Sequence, residues 1–170
     1  MGVGKTTAIG QVSDVPPVFT DVANTRRSEE DKATTTAAFD YGEIKLGESE
    51  VLRLYGTPGQ RRFEFMWPVL ARGALGIIYL IDCGREKPLD DLDAFINAFG
   101  SAAATLPSVV ALNKIPAASE PPTEIFQGYL EQRGINWPVL PTDVREREEV
   151  LAVLEILLSI IEAQALDGFA

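Results

Sequence analysis

The residues best placed to do chemistry stand at the start of the chain, Met1-Gly2-Val3-Gly4-Lys5-Thr6-Thr7. This is the second half of the pattern G-x-x-x-x-G-K-[ST], in which backbone N–H groups and a helix N-terminus surround phosphate oxygens. The lysine then reaches the outer phosphates and the hydroxyl binds a divalent cation. Gly2, Val3, Gly4, Lys5, Thr6 and Thr7 are therefore candidate phosphate-binding residues, with Thr6 on the cation. The pattern's first glycine lies outside the sequence, and a glycine-containing terminus beside an ordinary helix would read the same way.

Two further stretches have matching chemistry. Ala33 to Gly42 carries Thr34-Thr35-Thr36 and Asp40-Tyr41-Gly42, and Leu54 to Gln60 reads Leu-Tyr-Gly-Thr-Pro-Gly-Gln. Ala111-Leu112-Asn113-Lys114-Ile115-Pro116 ends an apolar run in Asn-Lys. The sequence holds no histidine and one cysteine, Cys83, which excludes imidazole triads, imidazole zinc sites and an intrachain disulfide. Carboxylates, hydroxyls, amides, lysine and arginine are left to do the work.

Together, G-K-T-T, K-A-T-T-T-x-x-x-D-Y-G, Y-G-T-P-G-Q and F-M-W resemble bacterial Ras-like small GTPases of the gliding-switch (MglA) and conservon type. The resemblance covers essentially the whole chain. It implies a Ras-like P-loop NTPase fold, α/β, with a mostly parallel sheet and flanking helices in one domain over residues 1–170. It implies a first strand ahead of the phosphate loop, so that the chain is expected to start inside its own loop. Residues 13–36 become the switch I region and 56–68 the switch II region. Thr36 would join Thr6 on Mg²⁺, the Gly59 N–H would contact the γ-phosphate, and Gln60 would orient the attacking water. Asn113 and Lys114 would brace the base.

The implied function is a switch that binds and slowly hydrolyses GTP to GDP, with ATP as an alternative nucleotide and a roadblock/LC7-type protein as partner. The sequence departs from the pattern at Gly56, where an acidic residue would support Mg²⁺ through water, and at Pro116, where an aspartate would read guanine. Those departures leave open a hydrolysis-deficient binding module, or an ATP-using enzyme with Asp82 on the metal.

The elements that must position these residues follow from periodicity. Ala37 to Leu46 and Val51 to Tyr55 flank the turn-rich Gly47-Glu48-Ser49-Glu50 and predict an antiparallel hairpin. Leu75 to Ile81, Ser108 to Leu112 and Pro138 to Leu140 are further strands, alternating with helical patterns as in α/β domains. Leu89, Leu92, Ile96 and Phe99 form one helical stripe; Val150, Val153, Leu154, Leu157, Leu158 and Ile161 form another. Asp143 and Glu146 have capping-box spacing before the last helix, although the resemblance also puts a base-contacting loop at Asp143. Ser13 to Lys32 and Lys114 to Pro122 read as loops. Phe63, Phe65, Met66 and Trp67 are either core or a docking surface.

With 170 residues and 46% hydrophobic content the chain can bury a core, and its net charge of −10 opposes nucleic-acid binding. Val150 to Ile161, the longest apolar run, carries Glu155 and is shorter than the roughly 20 residues a bilayer requires. The sequence thus predicts no membrane insertion and a cytoplasmic protein.

Overall fold

The computed structural model describes residues 2–19, 40–57, 67–100 and 105–167. Helix α1 (Lys5–Val12) is followed by β1 (Val18–Phe19), β2 (Asp40–Lys45) and β3 (Val51–Gly56). The short helix α2 (Trp67–Ala71) leads to β4 (Ile77–Asp82), α3 (Pro88–Phe99) and β5 (Ser108–Asn113). Helix α4 (Thr123–Gln132), β6 (Val139–Pro141) and α5 (Arg147–Asp167) complete the order.

The predicted hairpin forms. Its strands pair antiparallel from Lys45 opposite Val51 to Asp40 opposite Gly56, and the Leu46 N–H closes the turn on the Glu50 carbonyl at 2.9 Å. Residues alternate between faces along it, as a strand with one covered face requires. Ile44, Leu52 and Leu54 pack with Val12, Val144, Val150 and Leu154, whereas Tyr41 and Tyr55 face outward with ring centroids 5.2 Å apart. One part of the stretch read as a loop is regular: Val18 and Phe19 pair with Tyr41 and Asp40 and add β1 to the hairpin's edge. The loop reading failed there because two residues carry no readable period, while an exposed strand edge accepts any short extended segment.

Strands β4, β5 and β6 form a parallel sheet with β5 in the middle. Every residue of β5 is buried, because parallel sheets are covered on both faces. Val110 and Leu112 point into a core with Trp67 of α2, Tyr79 and Ile81 of β4, and Leu92, Ile96, Phe99, Phe126 and Leu130 from α3 and α4. Val109 and Ala111 face Val153 and Leu157 of α5. Both predicted helical stripes thus serve this sheet. Trp67 is 2% exposed and stacks on Phe99 at 5.7 Å, so it is core rather than docking surface.

The arrangement is the α/β class predicted, a parallel three-stranded sheet with flanking helices, consistent with a Ras-like P-loop NTPase fold. The strands fall into two sheets of three, one antiparallel and one parallel, and among the described residues none pairs with the second edge of β3 or of β4. Residues of both strands line a cavity of about 1080 Å³ that also touches Val12, Val144 and Leu154.

This geometry ranks the strands by protection. Amides of β5 are bonded within a sheet flanked by paired strands on each side, so they should exchange with solvent slowest; those of β3 and β4 that face the cavity should exchange well before global unfolding. Hydrogen exchange resolved by residue checks this, and equal protection along β3, β4 and β5 would contradict it.

Candidate functional site

The first helix begins where the sequence motif predicts. Gly4 is its N-cap, with φ of 108°, and the Ala8 N–H bonds back to the Gly4 carbonyl at 2.9 Å. Only glycine fits, because a Cβ there would stand 2.8 Å from Val144 Cγ2 and 2.9 Å from Asn113 Nδ2, in a backbone conformation that other residues rarely adopt. No acidic residue occupies the first turn of α1, so its amide-rich positive end is left to Lys5, Thr6 and Thr7.

The end of β5 holds the loop that precedes this helix. Asn113 is 3% exposed and donates from Nδ2 to the Val3 carbonyl at 2.7 Å. Lys114 donates from Nζ to the Gly2 carbonyl at 2.9 Å and to Asp82 Oδ2 at 2.7 Å. Among the described residues Lys114 is the one non-glycine with positive φ, at 55°. Such a conformation persists only where its surroundings impose it, and here the reach from β5 to both Gly2 and Asp82 does so.

The structure therefore brings Gly2, Val3, Gly4, Lys5, Thr6 and Thr7 together with Asn113 and Lys114. Burial pulls the Lys5 ammonium below its usual pKa, and the Asp40 carboxylate acts against that shift. A partly desolvated cation has much to gain from an arriving anion. The Thr6 hydroxyl donates to Asp40 Oδ2 at 2.8 Å. Thr36, Gly59 and Gln60, together with Phe63, Phe65 and Met66, lie outside the described residues.

Other sequence readings change here. Asp82 ends β4 as expected, but its carboxylate receives Lys114 and the Gly84 N–H at 3.1 Å, which gives it a bracing place and not an open metal-binding one. The capping box does not form as spaced. Asp143 takes the Arg145 N–H at 3.0 Å and its guanidinium at 2.9 Å, and Glu149, not Glu146, accepts from the Asp143 N–H at 2.7 Å. Asp143 thus closes a local turn on the amide and guanidinium of Arg145, and α5 starts later, at Arg147. The side-chain and backbone hydrogen bonds from Arg145 hold the Asp143 carboxyl down at a pKa of about 2. Pro116 is exposed and offers no side-chain acceptor.

Sequence reasoning missed two contributors, Asp40 and Val144. The signal for Asp40 lay in the hairpin: pairing that starts at Lys45 and Val51 puts Asp40 opposite Gly56. Nothing local marks Val144, whose contact with Gly4 spans nearly the whole chain.

Removing the Asn113 amide should leave the Val3 carbonyl without its donor inside a buried site. Asn113→Ala is expected to lower stability by about 1–3 kcal/mol, the usual cost of stranding a buried polar group. Denaturant titration checks this, and an unchanged midpoint would remove Asn113 as the brace.

Residues 18–157 match a family described as conserved hypothetical ATP binding proteins. Human Ras-related protein Rab-40B is 30% identical over 109 residues, which is 63% of this chain and 37% of that protein. Plasmodium falciparum Ras-related protein Rab-5B is 27% identical over 137 residues, 79% of this chain and 65% of that one. The match thus spans little more than a third of the human relative and under two thirds of the Plasmodium one. Among the described residues no helix is long and apolar enough to cross a membrane. With its motif-bearing loop braced by β5 and its likeness to Ras-related proteins supporting a P-loop NTPase, the chain belongs to the family of conserved hypothetical ATP binding proteins.

Proposed function

We propose that this protein is a nucleotide-dependent molecular switch that binds GTP or ATP with Mg²⁺ at the Gly2–Thr7 loop, hydrolyses it slowly and signals to a partner protein. The observation that carries this reading is the loop itself: glycine-capped, anchored through the Gly2 and Val3 carbonyls, with the partly buried Lys5 ammonium at the start of the helix. Family membership and the likeness to Ras-related proteins support nucleotide binding.

In this reading Lys5 holds the outer phosphates, the first-turn amides of α1 surround them, and Asn113 with Lys114 keeps the loop in shape. Hard oxygen donors suit Mg²⁺, which needs few protein ligands, and the exposed Thr6 hydroxyl fits it together with Thr36. When bound, Mg²⁺ supplies neutralisation of charge on the phosphate oxygens. Gln60 orients the attacking water and the Gly59 N–H follows the γ-phosphate, which couples hydrolysis to the 13–36 and 56–68 regions. A roadblock/LC7-type partner and a kinship with the gliding-switch and conservon group rest on the sequence motifs alone, and a cytoplasmic setting on the short apolar runs and the lone cysteine. The family's description favours adenine and the Ras-related likeness guanine, while Pro116 supplies no acceptor that would decide. A second reading, a binding module without hydrolysis, is favoured by Gly56, which brings no carboxylate of its own.

Calorimetry with GTP and ATP tests the assignment. Lys5→Ala should weaken either nucleotide about 10-fold or more, as expected for losing a hydrogen bond to a charged group. Unchanged affinity would sink the phosphate-binding role. Single-turnover hydrolysis separates the two readings: Gln60→Leu should be slower than the parent chain, and equal rates would favour the binding module.

A further inference from the structure

A separate cavity of about 860 Å³ lies at the end of the parallel sheet away from the Gly2–Thr7 loop. Ser108, the first residue of β5, lines it, whereas Asn113, which grips the loop, is the last. Helix α3 ends at this cavity in Gly100, and α4 ends there in Arg133 and Gly134. The end of α4 is fixed by its own backbone. The Ile135 N–H bonds to the Leu130 carbonyl at 3.0 Å and the Gly134 N–H to the Glu131 carbonyl at 2.9 Å, with Gly134 left-handed at φ of 69°. Three residues on, Trp137 gives the cavity a flat, half-buried wall.

Trp137 stacks on Tyr79 with ring centroids 4.9 Å apart and planes 15° from parallel, so the core sets the plane of the indole. Burial pushes the Tyr79 phenol up, which keeps it neutral, and its hydroxyl is buried without a hydrogen-bond partner. The Ser108 hydroxyl is near enough to oppose that shift but is turned to the Leu106 carbonyl, at 3.0 Å. Although the chain carries a net charge of −10, no carboxylate lines the cavity among the described residues. The carboxamides of Gln127, Asn136 and Gln164 do, together with Arg133, whose guanidinium is paired with Asp93. Neither α3 nor α4 has a basic residue in its last turn to offset the partial negative charge of a helix C-terminus. Such surroundings disfavour an anion and favour a flat group that donates hydrogen bonds.

We propose that this cavity binds a small planar nitrogen heterocycle, stacked on Trp137 with its N–H groups on the carboxamide side chains. The site is remote from the Gly2–Thr7 loop and does not depend on the nucleotide reading. The stacked aromatic supplies affinity, and the amides select a ring with donors at its edge.

The test is NMR titration of the isotope-labelled full chain with 2-aminobenzimidazole and, separately, adenine as probes. The amides of Gly134, Asn136 and Trp137 and the Trp137 indole N–H should shift together and saturate, with the Gly2–Thr7 amides unmoved. Trp137→Ala should weaken binding about 10-fold, the usual effect of losing one stacked ring. Asn136→Ala combined with Gln164→Ala alters two exposed side chains, so it keeps the fold and should also weaken binding about 10-fold, which decides the matter if Trp137→Ala does not fold. The planar anion 1-naphthoate, which has no donor, should bind at least about 10-fold more weakly than 2-aminobenzimidazole. No saturable shift with either probe overturns the proposal, as do shifts confined to the Gly2–Thr7 loop. Equal binding of 1-naphthoate, or folded variants with unchanged affinity, overturns it too.

Discussion

The grip of two consecutive residues, Asn113 and Lys114, on two consecutive carbonyls, Val3 and Gly2, is the constraint on which the rest of the site depends. A glycine-rich loop has much conformational freedom to lose, and it presents its amides in one arrangement only if its carbonyls are fixed elsewhere. The fixing point is the end of a strand buried along its whole length. Rigidity passes from the packed sheet to the loop through one amide and one ammonium. Asp82, one strand over, completes the anchor by holding Lys114 from β4. The left-handed backbone at Lys114 is the local cost of aiming both side chains at the loop.

Packing at Gly4 works with this grip. Val144 and Asn113 approach the loop so closely that no side chain fits at position 4, so the segment between β6 and α5 fixes the loop as firmly as the motif does. The Val144 N–H also points toward Asn113 Oδ1, at 3.5 Å, the long end of a hydrogen bond. Loop, strand end and helix approach form one contact network. Its members are distant in sequence, and a change in any of them is felt at the Gly2–Thr7 loop.

Electrostatics at the mouth of the site is local. The chain carries a net charge of −10, yet the groups around the first turn of α1 are one ammonium, two hydroxyls and one carboxylate. Burial disfavours the Lys5 charge and Asp40 favours it, so an arriving phosphate would replace scarce solvation at Lys5 and compete with the Asp40 carboxylate for that cation.

Much of this was legible in the sequence because it rests on short-range periodicity. The hairpin followed from alternation around Gly47–Glu50, the buried faces of α3 and α5 from helical stripes, and the glycine-capped start of α1 from glycine, lysine and threonine at fixed spacing. Each is a pattern that one element's geometry imposes on adjacent residues. Asn113 and Lys114 were found as a motif, but their task, holding Gly2 and Val3, was visible only once β5 and the loop met in space. Asp143 shows the opposite case: its spacing suggested a cap, and Arg145 took its carboxylate through a stronger, charge-assisted contact that no spacing rule weighs. Val18 and Phe19 became a strand because a neighbouring edge offered hydrogen bonds, and Val144 became part of the site because the segment between β6 and α5 passes against Gly4. The sequence by itself determined which segments would be strands and helices and which residue types could meet a phosphate. Only the tertiary structure decided which side chains hold them, because register across strands and contacts between distant segments depend on the packing of the whole and leave no period in the chain.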